Sequence, residues 1–305
     1  QTGDFQSGEQ EARTIEEPDV YATLALAFAQ LGQGQAPQAS DTYSRLATFD
    51  AQGASFATSG LGDLAAYEGR FSDAARILTE GAAVDIAANN ADRAAAKFAA
   101  LAHAHLSRGQ TAAAVAAAEK AVANSKAPKI RFAAARVLGE AGEVERARVL
   151  ATGLAAELQA EPQAYAKIVE GVIALNGGDP RAAVKVLIEA NSLLDTWIGH
   201  FDLGRAYLEA GQFPQADSEL DRCLKRRGEA LSLFLDEEAT YAYLPRIYYY
   251  QGRVREALQN AGFAEPYRTY LSIRGRAGED PLLPEVRRRA GITDAQVDAE
   301  YGPNP

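Results

Sequence analysis

Apolar positions along the chain are filled above all by alanine, in runs such as "AALAHAHLSRGQTAAAVAAAEKAVA" at residues 99–123, and alternating segments of valine or isoleucine are scarce. Alanine is the strongest helix former, whereas strands select β-branched and aromatic residues on alternate positions. The pattern therefore predicts a nearly all-helical chain with no strand.

A longer period lies over the helical one. A helix ending in small or aromatic residues, a glycine turn and a second helix recur as "AQLGQGQAPQAS", "AAYEGRFSDAAR", "AHLSRGQTAAAV", "VLGEAGEVERAR", "IALNGGDPRAAV", "YLEAGQFPQADS" and "YYYQGRVREALQ". The turn glycines read from this pattern are Gly34, Gly69, Gly109, Gly142, Gly178, Gly211 and Gly252, spaced by 35, 40, 33, 36, 33 and 41 residues. Alanine follows each in register, at Ala39, Ala74, Ala114, Ala147, Ala183, Ala216 and Ala257. Glycine ends a helix because it adopts a left-handed backbone without strain, and alanine lets two antiparallel helices approach closely. Asp179 and Pro180 after Gly178 add a side-chain cap and a proline suited to a first helical turn. Two units carry short insertions, and the first has extra residues at its turn.

With these motifs the chain resembles the tetratricopeptide repeat family over residues 18–275. The fullest unit, "WIGHFDLGRAYLEAGQFPQADSELDRCLKRRGEA", places Leu203, Gly204, Tyr207, Gly211, Phe213, Ala216 and Leu220 in the family's signature slots. The resemblance implies an all-α solenoid of about seven helix pairs, close to one superhelical turn, whose first helices line a concave groove. "EATYAYLPRIYYYQGRVREAL" and the stretch through "PEVRRRAG" resemble the end of tetratricopeptide regions that follow the kinase domain in bacterial, acidobacterial-type serine/threonine kinases. No kinase signature accompanies them, so that resemblance implies a regulatory or sensing region.

Outside the array, residues 1–17 hold five acids and one arginine and are expected to form a flexible, solvated arm. Residues 276–305 are expected to supply a capping helix around "PEVRRRA", a second helix after Asp294, and a tail.

Net charge is −10, with 29 acidic and 18 basic side chains in residues 1–221. That balance argues against nucleic acid as a partner, because nonspecific binding relies on a basic surface that displaces counterions. No apolar run approaches the roughly 20 residues that a membrane helix needs. The chain begins at Gln1 and lacks methionine, and with one cysteine among 305 residues it is expected to be a processed, extracytoplasmic protein.

Candidate chemistry is sparse. "GLGDLAAYEG" fits a dinucleotide fingerprint at Gly60, Gly62 and Ala65, but no strand precedes it, and Gly62 reads better as a helix-crossing residue. His103 and His105 point to opposite sides of a helix, and with His200 they are the only histidines, so no metal or other cofactor is expected. Cys223 occupies a small-residue core slot. The chain is expected to be non-catalytic.

The repeat register maps the groove instead. One inward slot reads Asp63, His103, Arg136, Val172, Arg205 and Arg246 through successive units, with Tyr67, Phe132, Tyr165, Phe201, Glu209, Tyr249 and Tyr250 in neighbouring slots. Arginines among flat aromatic surfaces suit an extended or acidic peptide. The expected partner-binding set is Arg136, Arg205, Arg246, Phe201, Tyr249, Tyr250, Tyr165 and His103, on a protein-interaction scaffold. The alternative for the arginines is pairing with acids on neighbouring helices. The alternative for the protein is a structural or accessory subunit, or an extracellular homo-oligomer, that assembles through its ends or convex face. In the last unit, Tyr241, Leu244 and Tyr248 read as core, and Pro245 as a kink inside a helix.

Overall fold

The structure, a computed structural model, describes residues 3–15, 19–234 and 237–292. These form 16 α-helices and two short 3-10 turns, with no strand among the described residues.

Seven antiparallel pairs make the solenoid: α2 (Val20–Gly32) with α3 (Ala36–Leu46), α4 (Ala51–Tyr67) with α5 (Phe71–Ala87), and α6 (Ala91–Ser107) with α7 (Thr111–Asn124). Next come α8 (Pro128–Glu140) with α9 (Val144–Ala155), α10 (Ala160–Asn176) with α11 (Pro180–Leu193), and α12 (Trp197–Glu209) with α13 (Phe213–Lys225). The last is α14 (Pro245–Ala257) with α15 (Ala264–Arg274), preceded in the chain by α1 (Phe5–Arg13) before the array and followed by α16 (Leu283–Ala290).

The turn chemistry follows the sequence in six pairs. Gly34, Gly69, Gly109, Gly142, Gly178 and Gly211 all have φ between 74° and 86°. The first turn has the ordinary form, with Gln35 N–H donating to the Gln30 carbonyl as Arg70 N–H does to that of Ala65, so it holds no extra residues. Asp179 caps α11 by accepting from Ala182 N–H at 3.0 Å, as its sequence context predicts. All the register alanines from Ala39 to Ala216 are fully buried.

The seventh pair departs from the expected register. Gly252 lies inside α14, where an added Cβ would meet the Tyr267 ring at 2.5 Å. It does the work of Gly204 beneath Leu220 and of Gly62 beneath Leu78: it admits a side chain of the second helix. The actual turn is at Gln259, with φ +56°. Pro245 is the reason for the shift. It opens α14 instead of interrupting it, because a first-turn position has no intrahelical N–H bond to lose and therefore no kink. Ala257 is consequently the last residue of α14, not a contact point of the second helix. Tyr241 and Leu244 are buried, while Tyr248 is only half-buried.

Both ends of the array are covered. The stretch expected to be a solvated arm contains α1, whose Phe5 ring lies where a side chain at position 32 would stand, 2.4 Å from a Cβ built on Gly32. At the other end α16 packs Leu283 and Val286 with Tyr267, Tyr270 and Leu271 of α15. The second C-terminal helix expected after Asp294 lies outside the described residues.

The superhelix returns on itself. Arg274 at the end of α15 is 1% exposed and donates to the carbonyls of Ala66 at 3.3 Å and Tyr67 at 3.2 Å, at the end of α4. Glu279 accepts from the N–H and hydroxyl of Ser72 at 2.9 and 3.0 Å, and Arg108 lies 3.3 Å from it. The seventh pair is thereby held against the second and third.

Candidate partner-binding groove

The chain fills much of its own groove. Between α13 and α14 it runs through the 3-10 turns Arg227–Leu231 and Tyr241–Tyr243, the second seated against α4 on the inner face. Thr240 stabilises this crossing: its hydroxyl donates to the Ala230 carbonyl at 2.9 Å and accepts from Leu233 N–H at 2.8 Å. The Asp63 carboxylate accepts from the N–H groups of Tyr241 at 2.8 Å and Ala242 at 3.1 Å. Arg274 donates to the Ala242 carbonyl at 3.0 Å. Three aromatic contacts complete the seat: Tyr243 flat on His103 with centroids 3.9 Å apart, Tyr241 on Tyr67 at 5.1 Å, and Phe234 edge-on to Phe132 at 5.6 Å. A cavity of about 50 Å³ remains between this segment and the wall around Asp63 and His103.

Burial sets the protonation of this seat. It pushes the Asp63 carboxyl up to about 7, against the two backbone donors and Arg274. It holds His103 well below its ordinary range, aided by the positive charge of Arg246.

Asp63, His103, Tyr67 and Phe132 thus hold the inward positions that the register assigns them, and what they face is the chain's own insertion. Tyr165, also expected to contact a partner, is buried, stacked on Phe132 at 4.1 Å and donating to Glu161 at 3.1 Å.

The arginines divide into two kinds. Arg136 is buried and donates twice to Asp202, at 2.6 and 3.1 Å, with Glu140 at 3.3 Å. Arg205, also buried, donates to Asp202 at 2.8 Å and Glu140 at 3.1 Å, and its guanidinium lies 5.7 Å from the Phe201 centroid. For these two, pairing with acids of their own and neighbouring helices is what the structure contains. Arg246 is different: among the described residues its nearest carboxylate oxygen, on Glu140, is 3.7 Å away. Burial raises the Glu140 carboxyl, and Arg205, Arg136 and Arg246 together more than reverse that, leaving it well below the ordinary carboxylate range.

Beyond the insertion the groove is open. A recess of about 550 Å³ is lined by Asn176, Arg205, Glu209, Arg246, Tyr250 and Arg253, among others. Of the expected partner-binding residues, Arg246 and Tyr250 are the half-buried pair on this recess. Tyr249 also lines it but is 6% exposed and donates to Glu285 on α16 at 3.2 Å. Phe201 is buried between Trp197 and Tyr250. Arg253, bonded to Glu209 at 2.8 Å, escapes the sequence reading because Gly252 beside it reads as a turn. Asp202 and Glu140 escape it too, although their spacing from Arg205 and Arg136, three and four residues on one helix, is the signal for such pairs.

Elsewhere Cys223 is 1% exposed, and burial raises its thiol well above the ordinary value. His200 bridges Glu219 at 2.6 Å and Asp195 at 2.9 Å. Among the described residues no three His, Cys, Asp or Glu side chains gather as a metal site, and no helix is long and apolar enough to cross a membrane.

A family model described as tetratricopeptide repeat matches residues 20–45 and 197–222, the α2/α3 and α12/α13 pairs. No curated protein matches the sequence. Among solved structures, the human IFIT1 dimer with m7Gppp-AAAA is similar at TM-score 0.52 and 15% identity, covering 96% of this chain and 74% of that one. A tetratricopeptide repeat protein from Parabacteroides merdae reaches TM-score 0.49 at 11% identity, over 89% of this chain and 98% of that one. The chain is an α-solenoid of seven tetratricopeptide-like helix pairs with a C-terminal capping helix.

Proposed function

We propose that the protein is a non-catalytic scaffold that binds a protein or peptide through the part of its inner face that its own chain leaves open. The observation that carries this reading is the recess beside Arg246 and Tyr250, which adjoins the stretch of groove occupied by the segment ending at Tyr243. It combines guanidinium groups with flat aromatic walls, the surfaces that dominate peptide recognition energetics. The net charge of −10 favours a protein over a nucleic acid here, whatever the ligand of the IFIT1 neighbour. Assembly through bare ends is the weaker reading, since α1 and α16 cover both ends of the array. The likeness of the last unit to kinase-associated repeats fits a sensing or regulatory partner.

The test is copurification of the native partner, followed by its affinity for Tyr250→Ala and Arg253→Ala. A loss of about tenfold or more at unchanged melting temperature supports the recess. Unchanged affinity in both variants contradicts it.

A further inference from the structure

The cavity beneath the inserted segment exists because small residues surround it: Gly62, Ala96, Ala99, Ala100, Ala133 and Ala242. Its volume of about 50 Å³ is room for about three to five water-sized groups. A recess of about 460 Å³ shares Lys129 and Phe234 with it and leads in from solvent. Two polar side chains on this cavity have bonding capacity to spare. His103 is 9% exposed and neutral; Tyr243 covers one face of its ring, and neither ring nitrogen has a hydrogen-bond partner among the described residues. Glu238, also 9% exposed, makes no ion pair among the described residues, and the Ser59 hydroxyl beside it can serve only one of its roughly four acceptor sites. Asp63, by contrast, is occupied by the N–H groups of Tyr241 and Ala242.

Buried polar side chains without partners are uncommon, and sites for small molecules combine mostly apolar walls with a few such groups. A neutral imidazole offers one N–H and one lone pair, whereas a carboxylate only accepts. Their complement is a group that donates to Glu238 and accepts from His103. An anion would meet Glu238, and a cation would meet Lys129 on the cavity wall and Lys97 beside Glu238. We infer that the cavity binds a small uncharged amide, with its NH₂ on Glu238, its carbonyl on the His103 ring and its short apolar body among the alanines. This site is separate from the recess beside Arg246 and does not depend on the reading of that recess.

The full-length chain is titrated with propionamide and with its isosteres butanone and propionate, observing the imidazole resonances of its three histidines by NMR. The His103 signals are assigned by their loss in His103→Phe. The expected result is a saturable shift of those signals by propionamide, with butanone, which accepts but does not donate, and propionate, which is charged, about tenfold weaker or more. Equal binding of either isostere overturns the amide assignment. No saturable shift with propionamide means that the cavity holds water only, and overturns the site. Two variants check the location. Ala99→Leu fills the cavity and should abolish the shift. Glu238→Met keeps the cavity, removes the acceptor and should weaken propionamide by about tenfold, as loss of a hydrogen bond to a charged group does. Unchanged affinity in Glu238→Met overturns the inference whether or not Ala99→Leu folds.

Discussion

Tyr243 lies flat on His103, ring centroids 3.9 Å apart and planes 10° from parallel, and this contact joins the inserted segment to the inner wall of the third pair. It makes the groove partly a core. Tyr243→Ala is expected to destabilise the protein by about 3 kcal/mol, the usual cost of removing a buried ring, measured by urea unfolding. A change below about 1 kcal/mol would mean that the segment is not packed there.

The same seat predicts two opposing pH dependences. His103, surrounded by Arg246, Glu140, Arg136 and Arg274, stays neutral in the fold, whereas the unfolded chain takes up its proton below the ordinary 6.5. Its contribution is therefore present above pH 6.5 and lost as pH falls below it. Asp63 faces Arg274 and Glu238 and keeps its proton up to about 7 in the fold, against 3.8 when unfolded. Stability from Asp63 is accordingly largest at low pH and declines as pH rises from about 4 to 7. His103→Phe should flatten the acid side of the stability profile, and Asp63→Asn should remove the decline toward neutrality. Parallel profiles for wild type and both variants would contradict the assignment.

Asp202→Ala should cost about 3–5 kcal/mol, because it strands the buried guanidinium groups of Arg136 and Arg205. Denaturant unfolding measures it. A loss under about 1 kcal/mol would show that these two arginines are hydrated.

The register of the seventh pair is tested by two substitutions with opposite signs. Gly252→Ala drives a methyl into the Tyr267 ring and should destabilise by about 1–3 kcal/mol. Gln259→Gly relieves a left-handed residue and should stabilise by about 1 kcal/mol. If Gly252 were the turn, as its "QGRVREAL" context suggests, Gln259→Gly would instead weaken the protein.

Six of the seven turns, the helical class and the inward slots are legible in the sequence because each depends on local spacing: a glycine, an alanine five residues on, and one helix facing in. The seventh turn is not, because Pro245 moves the start of a helix and a glycine at a crossing looks like a glycine at a turn. The candidate site is only half legible for a further reason. Slot positions state which way a side chain points and not what fills the space opposite, and Asp63 binds backbone N–H groups 178 and 179 residues along the chain. Arg246 and Tyr250 stay on open groove where Arg136 and Phe201 do not. The difference comes from the course of the insertion, which no helical period encodes.

Hydrogen exchange of the protein with and without its native partner tests the central claim most directly. New protection is expected in α12 and α14 around Glu209, Arg246 and Tyr250, with the amides of Tyr241 and Ala242 remaining as protected as in the free protein. Loss of protection at Tyr241 and Ala242 together with new protection along α4, α6 and α8 would show the partner displacing the inserted segment. That result would contradict binding through the open recess.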